Sequence, residues 1–350
     1  EIDPRMNRYT ELDLNYADEI DADIIVIEMD TYGGAVNDAD DIRTRFLNYE
    51  KPLWVFINKD AASAGALISI ACDSIYMAPG ASIGAATVVM GGSGEAAPDK
   101  YQSYMRSMMR STAEANGRNP RVAEAMVDET IDLDSLAPEG KVLTLSTSEA
   151  IRYNFCEGEV RSIEDLLAKN GIQDFELKEF ELSATEKIIR FFLNPFISGL
   201  LILVIIGGIY FELQTPGVGF PLAAAVLAAV FYFVPYYLNG MAEHWEIIIF
   251  FIGVILLAVE IFVIPGFGVA GISGLILMVG SFILVMLNND TFDFTYVPLE
   301  NFIVAASTTM TAIILGLGLM FFGGMKLVES NAFKRIALVE VEDRAQGYTS

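Results

Sequence analysis

Between residues 191 and 325 the chain has no lysine or arginine. A surface in water needs charges of both signs, so most of this interval must face something else. Five apolar runs lie inside it, at about Pro195–Phe211, Val218–Leu238, Ile247–Ile264, Phe267–Leu287 and Phe302–Gly323. Each is long enough to cross about 30 Å of hydrocarbon with some tilt. The charge is concentrated in the other half: residues 1–190 hold 35 of the 46 acids and 18 of the 22 bases. A water-exposed domain followed by an all-α, multi-pass membrane domain accounts for both halves. The formal net charge of −24 argues against nucleic acid, whose phosphates would be repelled.

The first half alternates strand and helix patterns on a period of about 25 residues, the mark of an α/β layer. Strands are expected at Asp23–Met29, Leu53–Asn58 and Ser74–Met77, and helices at Asp38–Tyr49 and Ala64–Cys72. The runs IIVIEM and LWVFI are apolar apart from Glu28, as in a sheet covered on both faces. Ile83–Met90 is expected to be a strand with an exposed edge. A long helix from Pro98 to Asn116 carries a stripe of Tyr101, Tyr104, Met105, Met108 and Met109, a spacing that suits a core or dimer contact better than a cofactor box. Arg121–Glu129, Thr147–Ile151 and Ile163–Asn170 read as further helices, and Phe175–Arg190 as a charged connector, strand or helix. The expected division is residues 1–175, a connector 176–194, a membrane domain 195–325 and a tail 326–350.

Asn194-Pro195 is a good helix start, with Asn as cap and Pro at the first position. Lys326, Lys334 and Arg335 follow the last apolar run, which favours a cytoplasmic C-terminus; five crossings then put the first domain outside the cell membrane. Lys187 and Arg190 on the other flank pull against this. The sequence starts at Glu1 rather than Met, so an upstream segment is expected to have been removed or to be missing. Cys72 and Cys156 read as two free core thiols. Glu212…Pro216-Gly217-Val218-Gly219 is echoed by Glu260…Pro265-Gly266-Phe267-Gly268, two hairpins whose carboxylates are expected to cap the turns or to serve a buried polar role between helices.

Ser63 falls between the LWVFI strand and a small-residue helix. There its own amide and that of Ala64 lie at the positive end of a helix dipole, where an oxyanion could be held. Ser63 can equally be a plain helix cap. A serine nucleophile needs a base, most often His, but the one histidine, His244, lies between apolar runs. Arginine stays protonated, which leaves a lysine or a carboxylate. Lys100 follows the run Ala96-Ala97-Pro98 and opens the long helix, where burial and the dipole would both favour a neutral amine. Asp99 would oppose this unless it points away. The turn Asp30-Thr31-Tyr32-Gly33-Gly34-Ala35 can supply further backbone N–H groups. Gly34, Ser63 and Lys100 follow one another at spacings of 29 and 37 residues.

DTYGG, AASAG, MAPGASIGAA and EAAPDK, in this order and followed by spans with PGxG hairpins, resemble the NfeD family of membrane-bound serine proteases. The resemblance covers nearly the whole chain and implies a ClpP/crotonase-like domain with a Ser-Lys dyad. Ser63 would be the nucleophile and Lys100 the base, with Gly33, Gly34 and Ala64 around the oxyanion hole and no cofactor or metal. It also implies an oligomer of at least two chains, stomatin- or flotillin-like partners, and cleavage in hydrophobic segments. The edge at Ile83, Gly84, Ala85 and Ala86 would then take extended peptide substrate. Tyr32 stands where the family usually has Pro, and Ser350 lies near where long members begin a small OB-like barrel. A non-catalytic scaffold for stomatin-like oligomers is the alternative; an acyl-CoA enzyme is disfavoured, since membrane spans and an acidic surface would not serve it.

Overall fold

The computed structural model describes residues 1–90, 94–131, 133, 140–214, 217–263, 268–287, 294, 297 and 299–329, with side chains of the last helix described to residue 318. The chain divides into two compact units, the second beginning at Ser183.

The first unit is an α/β domain. Its sheet is built on β2 (Leu53–Ala62), with β1 (Ile25–Thr31) and β3 (Ser74–Met77) parallel on either side. Val55 and Ile57 are fully buried because both neighbouring strands and both faces are covered, which is why this strand is a continuous apolar run rather than an alternating one. Truncating such a side chain to Ala costs about 2–5 kcal/mol. Further along, β2 pairs in parallel with β4 (Ser82–Gly84), and β4 pairs antiparallel with β5 (Thr144–Ser146). β6 (Gly158–Glu159) extends the sheet beside β3.

Helices cover the sheet. α1 (Pro4–Glu19) starts at Asp3, whose carboxylate accepts from the Met6 amide, with Pro4 at the first turn. This helix escapes the hydrophobic pattern because only Thr10, Leu14 and Ala17 are buried. α2 (Val36–Leu47) buries Ala39, Ile42 and Phe46, and every residue of α3 (Ala64–Ile70) is buried. In α4 (Asp99–Ala115) the methionines 105, 108 and 109 face the core, as the stripe suggests. α5 (Pro120–Ala125), α6 (Thr147–Arg152) and α7 (Ile163–Lys169) complete the unit.

Both cysteines are free and buried. Burial pushes the Cys156 thiol up to about 11 and the Cys72 thiol higher still, so neither is a ready nucleophile.

Ile83–Met90 is not an exposed-edge strand. β4 is three residues long, lies between β2 and β5, and ends where Ala85 turns to φ 49°. Val88 and Val89 instead pair locally with residues 96 and 97, through the Val89–Ala96 bridge and the Ala97 amide on the Val88 carbonyl at 2.8 Å.

The second unit is helical. α8 (Ala184–Phe192) precedes α9 (Pro195–Gln214), α10 (Phe220–Leu238), α11 (His244–Phe262), α12 (Val269–Val285) and α13 (Leu299–Glu329). α9, α10, α11 and α13 are long and apolar enough to cross a membrane; α12 has 17 residues, roughly 26 Å of rise. The first span starts as expected: Asn194 Oδ1 accepts from the Phe196 amide at 2.9 Å. Helix pairs approach through glycine. A Cβ at Gly208 would lie 2.3 Å from the Pro221 carbonyl oxygen, and one at Gly253 would lie 2.8 Å from that of Gly274.

The repeated glutamates cap these pairs. Glu212, near the end of α9, accepts from the amides of Gly217 and Gly219 just before α10. Glu260, buried near the end of α11, accepts from those of Gly268 and Gly271 at the start of α12. Pro216 and residues 265–267, where the hairpin turns were expected, lie outside the described residues, as does most of the tail.

Candidate active site

Ser63 sits in the single residue between β2 and α3, with φ 55° and ψ −117°. A non-glycine residue held there stores on the order of 1–3 kcal/mol, and such strain gathers at functional sites. Three bonds impose it. The Ser63 amide donates to the Gly84 carbonyl at 2.9 Å, and the Ser63 carbonyl accepts from Ala66 and Leu67 at 3.0 and 3.3 Å. The hydroxyl makes no helix-capping bond. Ser63 is therefore not the plain N-cap that a residue in this position usually is.

The glycine turn packs directly on this hydroxyl. A Cβ at Gly33 would lie 2.8 Å from Ser63 Cβ and 3.2 Å from Oγ, so only glycine leaves the hydroxyl room. The turn is pinned by the N-terminal segment: the Ile2 amide donates to the Gly33 carbonyl at 2.9 Å, and the Ala35 amide to the Ile2 carbonyl at 2.8 Å. A Cβ at Gly34 would collide with Ile2 backbone. Gly65 is constrained in the same way, since a Cβ there would meet Thr31 Cγ2 at 2.6 Å.

The three expected oxyanion donors are not equivalent. The Gly33 amide is already bonded to Thr31 Oγ1 at 3.2 Å. The Gly34 amide has no partner among the described residues, and that of Ala64, as the first residue of α3, has no intrahelical acceptor.

Lys100 departs from expectation. It is exposed rather than buried, its ammonium lies 4.8 Å from the centre of the Tyr101 ring, and it makes no hydrogen bond to Ser63. Asp99 does point away, forming an ion pair with Arg106 at 3.1 Å. The approach to Lys100 is fixed by Gln102. Its amide nitrogen donates to the carbonyls of Val88 and Ala97 at 2.7 and 3.1 Å, while its oxygen accepts from the Val88 amide at 3.0 Å. Sequence reasoning missed this residue; its only mark was a lone amide one turn into an otherwise core-facing helix.

The expected substrate edge is a correction. Ile83 and Ala86 are fully buried, the Ala85 and Ala86 amides donate to Leu143 and Met126, and a Cβ at Gly84 would lie 2.4 Å from the Leu143 carbonyl oxygen. These residues support Ser63 from behind, and their edge is occupied by β5. His244 lies in the second unit, with Nε2 2.9 Å from the Tyr237 hydroxyl.

The family model described as the NfeD1b N-terminal domain matches residues 1–180, and that of the NfeD integral membrane domain matches residues 196–338. Membrane protein NfeD1b of Bacillus subtilis is 34% identical over 338 residues, covering 96% of this chain and 74% of the relative. Membrane-bound protease PH1510 of Pyrococcus horikoshii is 31% identical over 227 residues, covering 58% of this chain and about half (49%) of the relative. Among solved structures, a substrate-peptide complex of the 1510-N membrane-bound stomatin-specific protease is similar at 27% identity and TM-score 0.47, over 55% of this chain and 92% of that one. ClpP1 of Listeria monocytogenes is similar at 18% identity and TM-score 0.37, over 49% and 90%.

Proposed function

This chain belongs to the NfeD family, as an integral membrane protein, and from that premise we propose that it is a serine endopeptidase with Ser63 as nucleophile and Lys100 as general base. The observation that carries the reading is the backbone of Ser63, strained at a strand-to-helix junction with Gly33 packed against its hydroxyl. In this mechanism the neutral Lys100 amine takes the hydroxyl proton and the Ser63 oxygen attacks the scissile carbonyl. The Gly34 and Ala64 amides stabilise the oxyanion, and the ammonium returns its proton to the leaving amine. Each backbone donor of this kind contributes on the order of 10²–10³ in kcat. Substrate binding has to bring the Lys100 amine in from its position over Tyr101.

The substrate class follows the relatives, one of which is named for stomatin specificity: a stomatin- or flotillin-like membrane protein cut within an apolar segment, by an assembly of at least two chains. The protease domain, residues 1–175, faces away from the cytoplasm, and the C-terminus faces it.

A second reading, a scaffold for stomatin-like oligomers without catalysis, draws on one observation, the exposed Lys100 with no bond to Ser63. The full chain in detergent, incubated with an apolar peptide, separates the two. Proteolysis is expected to disappear in Ser63→Ala and Lys100→Ala, and fluorophosphonate labelling to disappear in Ser63→Ala. Equal activity in all three proteins, or labelling at another serine, would remove the dyad.

A further inference from the structure

Helix α8, which leads into the first span, buries one side through Glu186, Ile189 and Leu193. Phe192 is stacked on Phe231 of α10 at 4.7 Å, which fixes the helix to the membrane unit. The outward side is unusual for a surface in water. Ile188 and Phe191 are more than half exposed, Phe196 is 73% exposed, and between them stand Lys187 and Arg190. These two are the only lysine and arginine from residue 179 to residue 325 in a chain of net charge −24. Arg190 has no carboxylate within ion-pairing distance among the described residues. Lys187, Arg190, Phe191, Asn194, Phe196 and Ile197 line a concavity of about 430 Å³ at the mouth of α9.

We propose that this concavity is a binding site for the headgroup of an anionic phospholipid. Exposed aromatic side chains beside basic ones, at the point where a span begins, match the boundary between acyl chains and phosphates. Phe191 and Phe196 enter the acyl boundary while Lys187 and Arg190 reach the phosphate. The Asn194 side-chain nitrogen supplies a further donor, its oxygen being engaged by the Phe196 amide. Charge complementarity selects the anionic class: the Arg190 guanidinium, with Lys187 beside it and no other lysine or arginine from residue 179 to residue 325, gains from a negative headgroup what a zwitterionic one does not offer.

The test is native mass spectrometry of the full chain released from bilayers of equimolar phosphatidylglycerol and phosphatidylcholine. The wild type is expected to retain phosphatidylglycerol selectively. Each base near an anionic surface contributes roughly a five-fold preference, so Lys187→Gln with Arg190→Gln should lower the selectivity by more than ten-fold. The charge-preserving pair Lys187→Arg with Arg190→Lys should keep it, which separates loss of the site from loss of fold. Equal retention of the two lipids by the wild type would overturn the proposal. So would unchanged selectivity in the glutamine variant, or displacement of the lipid by added inorganic phosphate, which would make the site one for free anions.

Discussion

Ser63 has its conformation imposed by its neighbours, and substitution can reveal the imposition. Glycine reaches φ 55° and ψ −117° without penalty, and the Ser63 hydroxyl has no bond to lose. Relief of about 1–3 kcal/mol of strain exceeds the 0.5–1 kcal/mol that glycine adds in unfolded-chain entropy. Ser63→Gly is therefore expected to raise unfolding stability by about 1 kcal/mol while abolishing proteolysis, measurable by denaturant titration beside the peptide assay; a loss of stability would show that Ser63 is not strained. Gln102→Ala removes three bonds that hold Val88 and Ala97. It should cost about 2 kcal/mol and lower kcat on an apolar peptide by ten-fold or more, with fluorophosphonate labelling of Ser63 retained. Ser63, Gly33 and Gly34 were legible in the sequence because strand, turn and helix signals converge on them. The exposure of Lys100 was not, since burial at a helix start is decided by what packs there, and Ala96-Ala97-Pro98 gives no account of that. Gln102 was illegible for the same reason, its partners being carbonyls that any residue could present.

At the scale of elements, Thr87-Val88-Val89-Met90 has the composition of a strand yet makes only the isolated Val89–Ala96 bridge outside the sheet. The turn at Ala85 ends β4, and the Gln102 amide supplies the bonds that a neighbouring strand would have given. Propensity was overridden by tertiary contact. The start of α6 was readable only in part: Ser146 and Glu149 make a reciprocal cap, and the bonds from Ser146 hold the Glu149 carboxyl below the usual range. A depressed folded value means that the cap is complete above the unfolded pKa and is lost as pH falls through the folded one. Glu149→Gln should therefore lower Tm at neutral pH, with the gap to wild type closing below about pH 4. The membrane hairpins give a parallel case. Glu260→Ala leaves two amides at the start of α12 without acceptors, whereas Glu260→Gln keeps one acceptor. Thermal unfolding in detergent should rank wild type above Gln and Gln above Ala, with each lost acceptor costing about 1–3 kcal/mol.

At the scale of the whole molecule, the separation of charge from hydropathy made the two-part organisation visible at once, and the five helices follow from it. What composition could not convey is how the membrane helices are tied. The carboxylate at the end of one helix reaches the first amides of the next, once in α9–α10 and again in α11–α12. Neither tie borrows a group from the other pair. Each pair thus carries the acceptor for the start of its own second helix. Assembly of the bilayer half then means docking two capped pairs and the last helix, α13, which packs on α9 and α12, and a fault in the second pair need not undo the cap of the first.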